Sequence, residues 1–86
     1  MKKLVEEVYG EGLESLLGEQ VELFCMNYIY AGELVGVNDH DVKIRGAKIV
    51  YETGALVAKT WQDAQDLPSD WYVRTAAIES YGASGR

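Results

Sequence analysis

Residues 38–41 form the most polar turn segment of the sequence and contain its one histidine. Asn38 and Asp39 precede His40, and Asp41 follows it. Either neighbouring carboxylate would favour the charged form of the imidazole, which titrates near neutral pH. His40 and Asn38 are therefore candidate binding residues. The alternative for His40 is an exposed side chain with no partner. The alternative for Asn38 is a bond to the backbone of its own turn, which is the commoner role of asparagine.

Arg74 is a second candidate binding residue, because its planar guanidinium group can stack on a base or bond a phosphate. A surface salt bridge with Asp39 or Asp41 is the alternative, and such a pair contributes little by itself.

Residues 42–60 contain four basic residues against one acidic residue, and they could form a patch facing phosphate. Pairing with acidic groups of the helix or of a neighbouring subunit is the favoured alternative, since oppositely charged neighbours stabilise sheets. The four are Lys43, Arg45, Lys48 and Lys59.

The composition leaves no residues for a catalytic or metal-binding set. Cys25 is the only cysteine, so an intramolecular disulfide and a cysteine-based metal site are both excluded. His40 is the only histidine, so any nucleophilic triad or dyad would depend on that one base. We therefore expect a protein that is not an enzyme, with no metal and no cofactor.

The overall charge limits the class of partner. The chain has 86 residues, 48% apolar and 26% charged, and a formal net charge of −6. This balance argues against a protein that coats duplex DNA, although a local basic patch stays possible. No long apolar run predicts a membrane span and no secretory signal is recognisable, so we expect a cytoplasmic protein with no membrane partner.

Apolar spacing predicts one short helical segment followed by strands. Residues 2–17 have apolar residues at helical spacing, interrupted by Gly10 and Gly12. After residue 20 the period becomes two, which is typical of strands. The predicted strands cover residues 21–25, 28–37, 42–45, 47–52 and 71–81.

These elements predict a mainly β protein: a short N-terminal helix and a strongly bent, five-stranded antiparallel small barrel, all in one domain over residues 1–86. One helix cannot cover both faces of a flat sheet, and curling the sheet solves this problem. Residues 55–70 are expected to be an insertion loop between the fourth and fifth strands, and residues 82–86 a flexible tail. Seven Tyr and Trp side chains are expected to be core and interface anchors or stacking platforms for single strands.

Residues 17–47 resemble the first motif of Sm and Sm-like (LSm) proteins, a family that includes the Hfq type. Val21 and Leu23 supply its apolar pair, and residues 32–38 (GELVGVN) match its glycine-led second part, with Asn38 in place of the usual aspartate. Residues 73–78 (VRTAAI) resemble the second motif through Arg74 and Ile78. The plan is also similar to that of small Sm-like proteins of phages.

The resemblance implies an Sm-like (SH3-like) barrel and a homo-oligomeric ring in which edge strands of neighbouring subunits pair. It also implies binding of RNA or single-stranded nucleic acid through pore-side turns, by Asn38, His40 and Arg74. Lys43, Arg45 and Lys48 could add a basic patch, as the charge of residues 42–60 indicates. Thr75 and Ala76 replace a Gly-Asn pair of the family, and Val42 replaces its base-contacting asparagine. The alternative is a structural or adaptor ring that binds protein partners and not RNA.

Overall fold

The computed structural model describes residues 12–86. Six strands and two single-turn 3-10 helices make up this part of the chain. The first 3-10 helix is Leu13–Leu16 and the second is Thr75–Ala77. The strands are β1 (Gln20–Cys25), β2 (Ile29–Val37), β3 (Asp41–Glu52), β4 (Asp63–Asp66), β5 (Trp71–Arg74) and β6 (Ile78–Ala83).

The strands form one antiparallel sheet in the order β4-β3-β2-β1-β6, with β5 also paired to β3. β3 organises this arrangement because it is 12 residues long. One side of β3 pairs with β2, and the other side holds β5 near its start and β4 near its end. The two ends of β3 therefore carry different parts of the molecule: the turn from β2, and the connection to β4.

The core lies on one face of the sheet and is built from strands in which apolar residues alternate with polar ones. Such alternation places every second side chain on the same face of a strand. The core cluster also receives Leu13 and Leu16 of the first 3-10 helix. Its buried members are Val21, Leu23, Leu34, Val42, Ile44, Ala47 and Val73.

Gly32 allows β2 and β3 to approach closely, and Gly46 gives β3 an unusual backbone conformation. A Cβ atom at Gly32 would lie 2.9 Å from the carbonyl oxygen of Arg45, and the β2–β3 register shifts at this point. Gly46, on the facing strand, has a φ of +61°, which side-chain-bearing residues rarely adopt. A glycine inside a strand commonly marks such a close approach of two backbones.

The prediction of a mainly β, antiparallel protein with little helix is confirmed, but the predicted five-stranded barrel is wrong in detail. The sheet has six strands, and its end strands β4 and β6 do not pair, so it does not close. The predicted third and fourth strands form one strand, since Gly46 bends the chain without ending the pairing. The predicted last strand is divided into β5 and β6 by the second 3-10 helix.

The two ends and the predicted insertion also differ from expectation. Residues 1–11 of the predicted helical segment lie outside the described residues, and the rest of it forms only the turn Leu13–Leu16. β4 lies within the predicted loop 55–70. Gly82 and Ala83, assigned to a flexible tail, belong to β6, because they pair with β1. Among residues 12–86, no helix is long and apolar enough to cross a membrane.

Candidate nucleic-acid interface

The turn between β2 and β3 is fixed by Asn38. Its side-chain Oδ1 accepts hydrogen bonds from the backbone N–H groups of His40 and Asp41, both at 2.8 Å. The backbone N–H of Asn38 also donates to the carbonyl of Asp41 at 3.0 Å. Asn38 thus has the turn-capping role that asparagine commonly has. Its side-chain Oδ1 already accepts two hydrogen bonds from its own turn.

The residue after β5 attaches this turn to the second 3-10 helix. The N–H of Thr75 donates to the carbonyl of His40 at 2.9 Å, and its Oγ1 donates to the carbonyl of Asp39 at 3.1 Å. Arg74 lies directly opposite Asp41 in the β3–β5 ladder. The structure therefore brings Asn38, His40 and Arg74 to the same end of the sheet, although residues 40 and 74 are far apart in sequence.

The charges of this end are mixed. Arg74 Nε lies 3.6 Å from Asp41 Oδ1, but 78% of the arginine side chain is exposed. An ion pair so exposed is screened by solvent and holds the arginine weakly. His40 and Asp39 are also exposed. The turn thus presents one imidazole and one guanidinium group beside two carboxylates.

The basic residues of β3 are largely paired with carboxylates. Lys43 Nζ lies 3.7 Å from Asp70 and 5.7 Å from the centre of the Tyr72 ring, and Lys48 pairs with Asp66. Arg45 is exposed and lies opposite Glu33 of β2. The acidic partners of Lys43 and Lys48 come from β4 and the connection that follows it.

A cleft of about 290 Å³ adjoins the interface and was not predicted from the sequence. Tyr28 and Tyr30 line it from β2 and its preceding turn, and Tyr72 and Arg74 line it from β5. Tyr28 and Tyr72 are 48% and 62% exposed, so their ring faces are accessible. Burial raises the pKa of Tyr30, and the neighbouring Cys25, Tyr28 and Tyr51 raise it further. The high tyrosine content indicates stacking surfaces, but only the folded sheet brings Tyr28 and Tyr30 to the same cleft as Tyr72 and Arg74 of β5.

Within residues 12–86, no cluster of three or more His, Cys, Asp or Glu side chains could hold a metal ion. The described residues thus define a small antiparallel β protein with a mixed-charge turn beside a tyrosine-lined cleft. Searches against protein-family models, curated proteins and solved structures find no match to the chain.

Proposed function

We propose that this chain is a non-enzymatic Sm-like protein that binds RNA or other single-stranded nucleic acid through its β2–β3 turn. The observation that carries the proposal is the pair of Thr75 hydrogen bonds, which hold the end of β5 against the turn. They keep the exposed His40 and Arg74 at one edge of the sheet. An imidazole and a guanidinium group held together can sandwich a base, while Asn38 fixes the turn.

The tyrosine cleft supports binding of a single strand rather than a duplex. Arg74 belongs to both the turn and the cleft, so a strand with one base between His40 and Arg74 can place its neighbour on Tyr72 or Tyr28. Each base stacked on an aromatic ring contributes ~1–3 kcal/mol, independently of its identity. Stacking of this kind does not require a strongly basic surface, which suits a chain with a net charge of −6.

The ring is proposed from the resemblance together with two strand edges that pair with no other strand of residues 12–86. β6 pairs with β1 on one side, and β5 pairs with β3 on one side. Their other edges carry backbone groups that a second copy could pair with. A homo-oligomeric ring would place several copies of the turn around one opening, which multiplies weak contacts to one strand.

Titration of fluorescently labelled oligo-U and oligo-A tests the proposal. We expect salt-sensitive binding at micromolar protein, weakened roughly 5- to 100-fold in Arg74→Ala and His40→Ala through the loss of stacking. Arg45→Ala is the matched control, because it removes an exposed positive charge of β3 that lines neither the turn nor the cleft. Absence of salt-sensitive binding at micromolar protein, or equal loss in the Arg45 variant, would contradict the assigned turn.

A structural or adaptor ring that binds protein is the second candidate. Asp39 and Asp41 favour it, because two carboxylates beside His40 repel phosphate. The double variant Asp39→Asn/Asp41→Asn separates the two functions. If the turn binds nucleic acid, the variant binds oligonucleotides more tightly than the natural sequence; if neither chain binds any oligonucleotide, the adaptor function is favoured.

A further inference from the structure

Arg86 is almost completely enclosed, with only 2% of its side chain exposed. Its guanidinium carbon lies 3.7 Å from the centre of the Trp61 ring. One nitrogen, Nη1, donates to three backbone carbonyls of the β3–β4 connection: Thr53 at 2.8 Å, Ala55 at 3.2 Å and Thr60 at 3.2 Å. The β3–β4 connection, residues 53–62, is thus folded around a single cationic group.

The groups around Arg86 have the chemistry of a guanidinium receptor. Trp61 provides the aromatic face that best attracts a cation, and guanidinium groups stack on such faces. The three carbonyls accept hydrogen bonds along one edge. The Glu22 carboxylate, itself 15% exposed, lies 3.7 Å from Arg86 Nε and contributes the opposite charge. Aromatic face, carbonyl edge and carboxylate come from three positions of the fold: the end of the connection, its backbone and β1.

The carbonyl edge is shaped by the backbone of the connection itself. Ala58 N–H donates to Ala55 O at 3.0 Å, which closes a turn directly beside Arg86. Residues 55–58 are apolar, and Leu56 and Val57 are 69% and 94% exposed. The receptor therefore lies under a projecting apolar turn, and two clefts border Arg86, one lined by Trp61 and Lys59 and the other by Leu56 and Glu22.

The surrounding groups do not satisfy all the donors of Arg86. Among the described residues, Arg86 Nε and Nη2 and Trp61 Nε1 are buried without a hydrogen-bond partner. Buried donors without acceptors are costly, so this arrangement is weaker than the contacts of Nη1 alone suggest. The segment that follows β6 holds Arg86 in this position, because it is bonded to β1. Ser84 N–H donates to Gln20 O at 2.7 Å, and Ser84 Oγ donates to Glu22 Oε2 at 2.8 Å.

We propose that residues 53–61 and Glu22 form a guanidinium-binding site that Arg86 occupies in cis, and that the site binds an arginine side chain of a partner when Arg86 withdraws. The tethered side chain has an effective concentration in the millimolar range or above, which excludes free ligands while Arg86 is bound. The site is at the end of β3 opposite the β2–β3 turn, so it does not depend on the proposed nucleic-acid binding.

The test removes the internal ligand and supplies a free one. Arg86→Ala is titrated with N-acetylarginine methylamide up to about 20 mM, a range set by the weak affinity expected of so small a ligand. Binding is followed by the indole N–H signal of Trp61 in two-dimensional NMR, and Trp71→Phe assigns that signal. We expect a saturable shift in Arg86→Ala and none in the natural sequence. N-acetyllysine methylamide is the ligand control, since an ammonium group lacks the planar fork.

Arg74→Ala is the protein control, because it removes an exposed arginine and leaves the site filled. A folded Arg86→Ala chain with no saturable shift overturns the proposal, as does an equal shift in the natural sequence. If Arg86→Ala is unfolded, refolding by the arginine ligand but not by the lysine ligand supports the site, and refolding by neither overturns it. Mixing isotope-labelled Arg86→Ala with the unlabelled natural chain distinguishes the sources: a Trp61 signal shifted as by N-acetylarginine methylamide identifies Arg86 of a second copy, and an unshifted signal leaves a different arginine-bearing partner.

Discussion

Asn38 is the clearest case of one side chain that shapes the candidate interface, because its Oδ1 accepts two backbone N–H groups of the turn. Asn38→Ala removes both bonds. Since these groups are exposed and can bond water instead, we expect a loss of only ~1 kcal/mol in the free energy of unfolding, measured with urea.

Asn38→Asp is the matched control, because a carboxylate keeps the acceptor oxygen. At ~0.3 M salt, where repulsion from Asp39 and Asp41 is screened, it should retain most of the stability. If Asn38→Ala is as stable as the natural sequence, or if the aspartate variant loses as much, the turn does not depend on this acceptor.

Cys25 should react slowly as long as the chain is folded. Burial raises the pKa of its thiol, and the Glu79 carboxylate raises it further. Alkylation requires the thiolate, so we expect the iodoacetamide rate at about pH 8 to be lower than in urea and to increase in Glu79→Gln. Ser80→Ala, next to Glu79 in β6, is the control with unchanged charge. An unchanged rate in Glu79→Gln would show that the carboxylate does not act on the thiol.

The raised pKa of Cys25 also makes the free energy of unfolding depend on pH in a defined direction. A thiol with a raised pKa in the folded chain ionises more easily when unfolded. Its contribution is therefore complete below the ordinary thiol pKa and is lost as the pH rises through the raised value of Cys25. Unfolding measured between about pH 7.5 and 10 should show this loss, and Cys25→Ala should remove it.

At the scale of elements, the contact between β2 and β3 depends on the missing side chain of Gly32. A Cβ atom there would lie 2.9 Å from Arg45 O and 3.2 Å from both Ala47 Cα and Ile44 Cβ. Backbone atoms cannot move aside as a flexible side chain can. Gly32→Ala should therefore destabilise the fold by ~1–3 kcal/mol in urea unfolding.

Gly36→Ala is the matched control in the same strand. Its Cβ would meet only Lys43 Cβ, at 3.6 Å, which is an ordinary van der Waals distance. We expect a change within ~0.5 kcal/mol of zero. Equal losses in the two variants would indicate a general intolerance of β2 to alanine and would contradict the close-approach explanation.

The strands of the core could be predicted because their apolar residues alternate, as Val21 and Leu23 do in β1. β4 could not, because three of its four residues are polar and exposed, and only pairing with β3 makes them a strand. The sequence predicts a strand boundary at Gly46, yet a positive φ at one residue can bend a strand without ending its pairing. The second 3-10 helix has the small, weakly patterned sequence Thr75–Ala77, which gives no helical period.

At the scale of the whole molecule, the candidate interface could also be predicted only in part from the sequence. Residue types indicated His40, Asn38 and Arg74, and the resemblance to the Sm motifs grouped them. The contacts that join them, from Thr75 to the carbonyls of Asp39 and His40, involve backbone groups that every residue has. No residue pattern marks such contacts. The position of Arg86 could not be predicted for a related reason: its partners are three backbone carbonyls, and nothing in the sequence GASGR indicates them.

The described chain leaves large apolar side chains exposed on many sides, including Tyr28, Tyr51, Tyr72 and Tyr81, each at least 43% accessible. A ring would cover part of this surface. Association of folded subunits stabilises them by mass action, so the melting temperature should rise with protein concentration. We expect a rise of several degrees between about 2 and 200 µM by scanning calorimetry, together with a multimeric mass by light scattering.

The unpaired edge of β6 offers a specific test of that assembly. Ser84 N–H donates to Gln20 O on β1. In an antiparallel ladder the direction of the N–H groups alternates, so that of Ala83 points away from β1 toward the open edge. Ala83→Pro removes this outward donor while leaving the bonds to β1. It should lower the mass to that of a monomer and abolish the concentration dependence, whereas Ala83→Val, which keeps the N–H, should remain multimeric. A monomeric natural chain at 200 µM would exclude the ring.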